Sequence, residues 1–151
     1  MPNGEAIVTN RKARRDYFIL ETFEAGIALR GSEIKSVRKR RASLADSYAR
    51  VENNELFLYN LHISPYEFAR PDEVDPKRPR KLLMRKSEIR YIEGKRATKG
   101  LTLIPLRIYL KGRFAKVELA LAKGKKFYDK REALKAKEAR RAIDRALRKR
   151  K

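Results

Sequence analysis

Residues 101–122 read LTLIPLRIYL, then KGR, then FAKVELALA, with apolar and polar side chains alternating on both sides of Lys111-Gly112-Arg113. A period of two puts successive side chains on opposite faces of a strand, and a glycine between two such runs closes a tight antiparallel turn. Ile104, Leu106, Ile108 and Leu110 are expected on one face, with Val117, Leu119 and Leu121 opposite. The runs SLADSYARV (43–51) and ELFLYNLHI (55–63) repeat the arrangement around Asn53-Asn54, a hairpin signal because asparagine tolerates positive φ. Residues 16–29, DYFILETFEAGIAL, read as one long or bent strand pair in which Gly26 would permit a bend or bulge.

Helices enter between these strands. Ser32 is a candidate N-cap for a short helix ending near Arg40, with Glu33 in its first turn and Ile34 and Val37 on one face. Four of the six prolines (Pro65, Pro71, Pro76 and Pro79) fall within 64–80 and predict a loop. KLLM (81–84) returns the chain to the core, and a helix over 86–97 places Ile89 and Ile92 three apart, with Gly100 where it should stop. Five or six hairpin-joined strands with one helix before the last pair predict a mainly β fold, an OB-like closed antiparallel barrel with flanking helices. The missing strand–helix–strand alternation argues against a parallel sheet. The expected core is Phe18, Phe23, Ile27, Leu29, Ile34, Val37, Leu56, Leu58, Leu103, Leu106, Ile108, Val117 and Leu119.

The charge decides the class of partner. Forty Lys and Arg oppose nineteen Asp and Glu in 151 residues, a net +21 that resists compaction and that a polyanion would neutralise with release of counterions. Lys35, Arg38, Lys39, Arg40 and Arg41 form one basic run, and Lys77, Arg78, Arg80, Lys81, Arg85 and Lys86 another; both are candidate phosphate contacts, and a solvated face is the competing reading for either. Residues 122–151 carry 14 basic and 4 acidic side chains, a net +10. From Lys130 onward there is neither Gly nor Pro, and Ala136, Ala139, Ile143 and Leu147 recur at helical spacings of 3, 4 and 4. So thin a stripe buries little, which predicts a tail that is disordered when free and helical when bound to a polyanion. The chain therefore divides into a body, 1–122, and a basic tail, 123–151.

Several chemistries are excluded. With no Cys and the single His62, thiolate zinc sites, Cys nucleophiles and paired-imidazole sites are absent, and His62 reads as a strand residue. GKRATKG (94–100) does not match a phosphate-binding loop. Asp72, Glu73 and Asp75 lie among lysines in the Pro-rich loop and read as solvated surface. No stretch approaches the ~20 apolar residues of a membrane span, and the first residues lack the apolar run of a secretory signal, so the expected location is the cytosol. Tyr48, Tyr59, Tyr66, Tyr91 and Tyr109 interleave with basic residues; packing is the default for each, and one or two could stack on bases. These features describe a non-enzymatic RNA- or DNA-binding module with no metal and no cofactor.

The words NRKARRDYFILETFEAGIALRGSEIKS (10–36), SLADSYARVENNELFLYNLHISPYE (43–67), RPRKLL (78–83), KGLTLIPLRIY (99–109) and KVELALAKGKKFYDKRE (116–132) closely resemble the SsrA-binding protein family, small protein B. The blocks cover nearly the whole chain in the family's order. The resemblance implies a bacterial adaptor for trans-translation, the rescue of stalled ribosomes. Its body would bind the tRNA-like domain of transfer-messenger RNA, in company with elongation factor Tu and GTP. Its tail would enter the empty messenger channel of the small subunit near the decoding centre.

The family's RNA-binding determinants fall on Glu24, Leu83 and Lys116. Lys116 would neutralise a phosphate, whereas Glu24 would accept base or 2′-OH hydrogen bonds or orient a neighbouring cation. Leu83 would pack under the RNA or set the loop, and Lys35, Arg38, Arg80 and Lys81 complete the candidate RNA surface. The ribosome-contacting tail would comprise Gly124, Lys125, Lys126, Asp129, Lys130 and Arg131, with Ile143 and Leu147 as apolar candidates. Asp129, three residues before Glu132, is expected to cap the tail helix. Arg15, where many members have His, and the stretch EFARPDEVDPK (67–77) depart from the family's pattern. A monomer is expected.

Overall fold

The computed structural model describes residues 6–68 and 75–149, with side chains at 126–134 and 149 outside the description. The elements in chain order are β1 (Ala6–Thr9), α1 (Ala13–Asp16), β2 (Tyr17–Ile27), α2 (Gly31–Arg38), β3 (Ala42–Ser43), β4 (Tyr48–Glu52), β5 (Glu55–Tyr59), β6 (His62–Ile63), β7 (Arg80–Leu83), α3 (Lys86–Lys99), β8 (Thr102–Lys111), β9 (Phe114–Gly124) and α4 (Lys125–Lys149). The fold is mainly β with flanking helices. β3 and β6 pair as a small ribbon. The other seven strands form an antiparallel sheet in the order β1-β8-β4-β5-β7-β2-β9, and β8 pairs again with β9, so the circuit of pairing returns to β8.

Turn chemistry sets the strand ends as expected. Asn53 and Asn54 take φ of 51° and 64° at the β4–β5 turn, and Gly112 takes 63° at the β8–β9 turn. Gly100, at φ 62°, closes α3 in the left-handed conformation. The two 43–63 runs, read as one strand each, are both interrupted. Asp46 at φ 61° separates β3 from β4, and Asn60 at φ 63° separates β5 from β6. Within residues 16–29 there is one strand, Tyr17–Ile27, rather than a pair. Its irregularity lies between Ile19 and Glu21, not at Gly26.

The face assignment on β8 also differs. A register shift between Pro105 and Arg107 reverses the alternation, so Ile108 and Leu103 enter the main core while Ile104 and Leu106 face a second cluster with Ala13, Ala120 and Ala122. An extra residue in a ladder swaps which face every later side chain occupies. It also lets the two halves of β8 meet different partners, with Leu103 opposite Ala49 of β4 and Ile108 opposite Val8 of β1. Ile27, Val37, Leu56, Leu58, Val117 and Leu119 are in the core as expected, with Phe23 and Leu29 packed at its edge. Phe18 is 39% exposed and outside it, and Ile34 is only half-buried. Leu44, Leu61, Ile63 and Leu82 are buried core residues that the alternation did not single out, and Leu121, placed on the inward face by it, is buried there too. β1 and α1 were likewise not read from the sequence.

Helix α2 does not use Ser32 as its cap. Arg30 holds the N-cap position, and its N–H donates to Glu33 Oε1 at 2.8 Å. α4 leaves β9 without an intervening loop, and Ile143 and Leu147 are 60% and 58% exposed. Because the helix is already under way at Lys125, Asp129 lies inside it and is not its N-cap. Among the described residues, no helix is long and apolar enough to cross a membrane.

Candidate nucleic-acid interface

Glu24, Leu83 and Lys116 are separated by 33 residues or more in sequence, and the sheet brings them together around Gly26. Across neighbouring strands the register runs Leu83 (β7), Gly26 (β2), Lys116 (β9), Tyr109 (β8). Glu24 lies two residues before Gly26 and shares its face. A Cβ at Gly26 would stand 3.3 Å from Leu83 Cβ. The missing side chain therefore lets β7 lay Leu83 close over β2, where it remains 53% exposed. Lys81 alternates onto the same outer side of β7 as Leu83, exposed, with its ammonium 3.4 Å from Glu55.

Glu24 stands directly opposite Glu118 in the β2–β9 ladder, a like-charge pair that would be destabilising if left alone. The surrounding groups offset it. Tyr109 donates its hydroxyl to Glu24, and Lys111 Nζ is 3.6 Å from the same carboxylate. Arg107 is 3.5 Å from Glu118 and lies over the Tyr109 ring at 4.7 Å. The Tyr109 hydrogen bond, with Lys111 and Lys116 nearby and against partial desolvation, holds the Glu24 carboxyl below its ordinary range. Burial, and then the bond to Glu24, push the Tyr109 phenol up. Glu24 is thus an anionic anchor for a set of cations. The alternation places Arg107 and Tyr109 in a strand and Lys111 at its turn, with Tyr109 also among the rings that could stack on a base; the β8–β9 register, Tyr109 opposite Lys116 and Arg107 opposite Glu118, groups them with the candidate residues.

The second basic run divides. Arg80 is fully buried and out of reach of any phosphate. Its Nε and Nη2 donate to Glu33 Oε2 at 3.0 and 2.6 Å, its Nη1 donates to the Leu61 carbonyl, and Nη2 reaches the Pro76 carbonyl at 3.3 Å. Arg78 donates to the other Glu33 oxygen. Alternation along β7 decides the fate of each cation: Arg80 and Leu82 point inward, Lys81 and Leu83 outward. Lys35 and Arg38 are exposed on α2.

At the root of the tail, Gly124 pairs with Tyr17, and Lys125 donates to the Arg14 carbonyl at 2.9 Å while its ammonium lies 5.2 Å from the Phe18 ring centre. Lys126, Asp129, Lys130 and Arg131 are in α4, their side chains outside the described residues. Asp72 and Glu73 also lie outside the described residues, while Asp75 caps a turn by accepting from the Lys77 N–H at 3.1 Å. Among the described residues, no group of three or more His, Asp or Glu is placed to hold a metal.

Comparison with known proteins shows the family. Residues 7–149 match the family described as SmpB protein. The SsrA-binding protein of Carboxydothermus hydrogenoformans is 60% identical over 142 residues, covering 94% of this chain and 95% of that protein. The SsrA-binding protein of Pelotomaculum thermopropionicum is 59% identical over 146 residues, covering 97% and 95%. A solved structure described as "tmRNA-SmpB: a journey to the center of the bacterial ribosome" superposes with a TM-score of 0.66 at 55% identity, covering 78% of this chain and 82% of that one.

Proposed function

The chain belongs to the SmpB protein family, and from that premise we propose that it is a non-enzymatic RNA-binding adaptor for ribosome rescue by trans-translation. Its body, residues 1–122, is an OB-like closed barrel that binds the tRNA-like domain of transfer-messenger RNA. Its tail, residues 123–151, enters the empty messenger channel near the decoding centre, and elongation factor Tu with GTP accompanies the delivery. It acts as a monomer in the bacterial cytoplasm. The observation that carries this reading is the convergence of Glu24, Leu83 and Lys116 around Gly26, with Lys111 beside them.

The geometry supports a division of roles. Lys116 supplies a phosphate contact, Leu83 an apolar contact for a ribose or base edge, and Glu24 holds Lys111 and Tyr109 in place. The tail has little to fold against: from Lys135 to Arg148 its side chains are exposed, including Ile143 and Leu147. Its helix is therefore fully populated only when a polyanion offsets the repulsion among its cations.

Two measurements test the assignment. At one fixed salt concentration, affinity should be high for the tRNA-like domain and lower for ordinary tRNA and for an unstructured oligonucleotide. Equal affinity for all three would point to a general RNA binder instead. Truncation after Lys126 should leave RNA affinity largely intact and abolish tagging of products from stalled ribosomes. Collapse of RNA affinity would show that the roles of body and tail are misassigned.

A further inference from the structure

Most aromatic side chains near the basic surface are already engaged. Tyr48 and Tyr59 stack on each other with ring centres 5.5 Å apart, and the Tyr59 hydroxyl donates to Glu52 at 2.6 Å. Tyr91 meets Phe23 edge-on and donates to Glu21 at 3.0 Å, and Tyr109 lies beneath Arg107. Phe68 differs. It is 75% exposed, the most exposed large apolar side chain among the described residues.

The segment carrying Phe68 is pinned to the body. The Ile63 N–H donates to the Pro76 carbonyl at 3.0 Å and the Ser64 N–H to the Arg41 carbonyl at 2.9 Å. Tyr66 then lies against α2, with Lys35 Nζ and Lys39 Nζ 5.1 and 5.4 Å from its ring centre. Those lysines are four residues apart and so share a helix face. Phe68 meets the Tyr66 ring edge-on at 5.4 Å. The result is a largely exposed ring supported by one T-shaped contact, beside two ammonium groups that no described carboxylate pairs. Glu67, between the two rings, is exposed, while Arg38 and Arg41 add cations on the same stretches of chain.

We infer that Phe68 is a stacking platform for one unpaired RNA base, with Lys35 and Lys39 receiving the flanking phosphates. A single exposed ring is too small for a stable protein contact, and its cationic surroundings suit a nucleotide, which presents a flat π-face and an anion a few ångströms apart. The inference requires only that the chain binds RNA, and does not depend on which RNA.

The chain contains no tryptophan, so Phe68→Trp places a unique fluorophore at the platform. In the full-length protein, Phe68→Trp should bind oligoadenylate of ~10 nucleotides as tightly as the parent, and its emission should be quenched as the base stacks. Phe68→Ala and Phe68→Leu should each weaken oligoadenylate binding by about tenfold and leave a blunt RNA duplex of similar phosphate count unaffected. Because Phe68 is so exposed, both variants should keep the parent's melting temperature.

Absence of quenching overturns the inference. So does full affinity in Phe68→Leu, which would mean apolar contact suffices, or equal loss on both probes, which would leave only backbone electrostatics. Failure of the transfer-messenger RNA assignment would look different: the preference for the tRNA-like domain would vanish while quenching by oligoadenylate persisted.

Discussion

Glu33 and Glu24 are each surrounded by cations. In the fold they behave oppositely. Glu33 is buried with Arg80 and tied to Arg78, and its oxygens join α2 to the start of β7. Glu24 faces outward, more than a third exposed, between Tyr109 and Lys111. In the first cluster the cations are used up in holding the protein together. In the second the carboxylate organises cations that remain able to meet a phosphate. Desolvation separates the two cases: buried charges are tolerable only when fully paired, whereas solvated charges cost little and remain available.

The largest expected effect tests the buried side of that contrast. Glu33→Ala should lower stability by about 3–5 kcal/mol in urea denaturation, because it leaves the Arg80 guanidinium buried without its anion. A loss below about 1 kcal/mol would mean that solvent reaches the site and the contrast is false.

Acid should act on the same cluster. Burial raises the Glu33 pKa, but the bonds from Arg78, the Arg30 N–H and Arg80 outweigh it and hold the carboxyl below its ordinary value near 4.5. A depressed native pKa means that the stabilisation is present above the unfolded value and is lost as pH falls through the native one. Melting temperature should therefore stay flat above about pH 5 and drop below it. The drop should be smaller in Glu33→Gln, which no longer titrates.

The outward side should respond in binding and not in folding. Lys116→Ala should weaken RNA binding and reduce the salt slope of log K by about one, with stability within about 0.5 kcal/mol of the parent. The smallest effect is spectroscopic. Glu24→Gln should lower the alkaline titration midpoint of Tyr109, read by ultraviolet absorbance, but not fully to the ordinary value near 10, since burial also raises it. A midpoint unmoved by the change would mean that Glu24 and Tyr109 are not coupled.

Much was legible from local pattern. Asn53-Asn54, Gly100 and Gly112 marked their turns because positive φ is a property of one or two residues. The last hairpin and α3 follow from period and capping, and the long blocks 10–36 and 116–132 carry the resemblance to the family. Excess positive charge named a polyanion because electrostatics at this level is a sum over composition.

What the tertiary structure alone decided depends on register and burial. The shift at Pro105/Arg107 moved Ile104 and Leu106 to a second core, since one extra residue inverts a strand's faces and no local preference announces it. Arg80 and Lys81 are adjacent in the same basic run, yet one is enclosed and the other exposed because successive strand residues point to opposite sides. Gly26 marks the place where Leu83 crosses β2 and Lys116 flanks it, a meeting of three strands made by long-range pairing. Composition fixed how much positive charge the chain carries; only the long-range strand pairing fixed which cations face outward together.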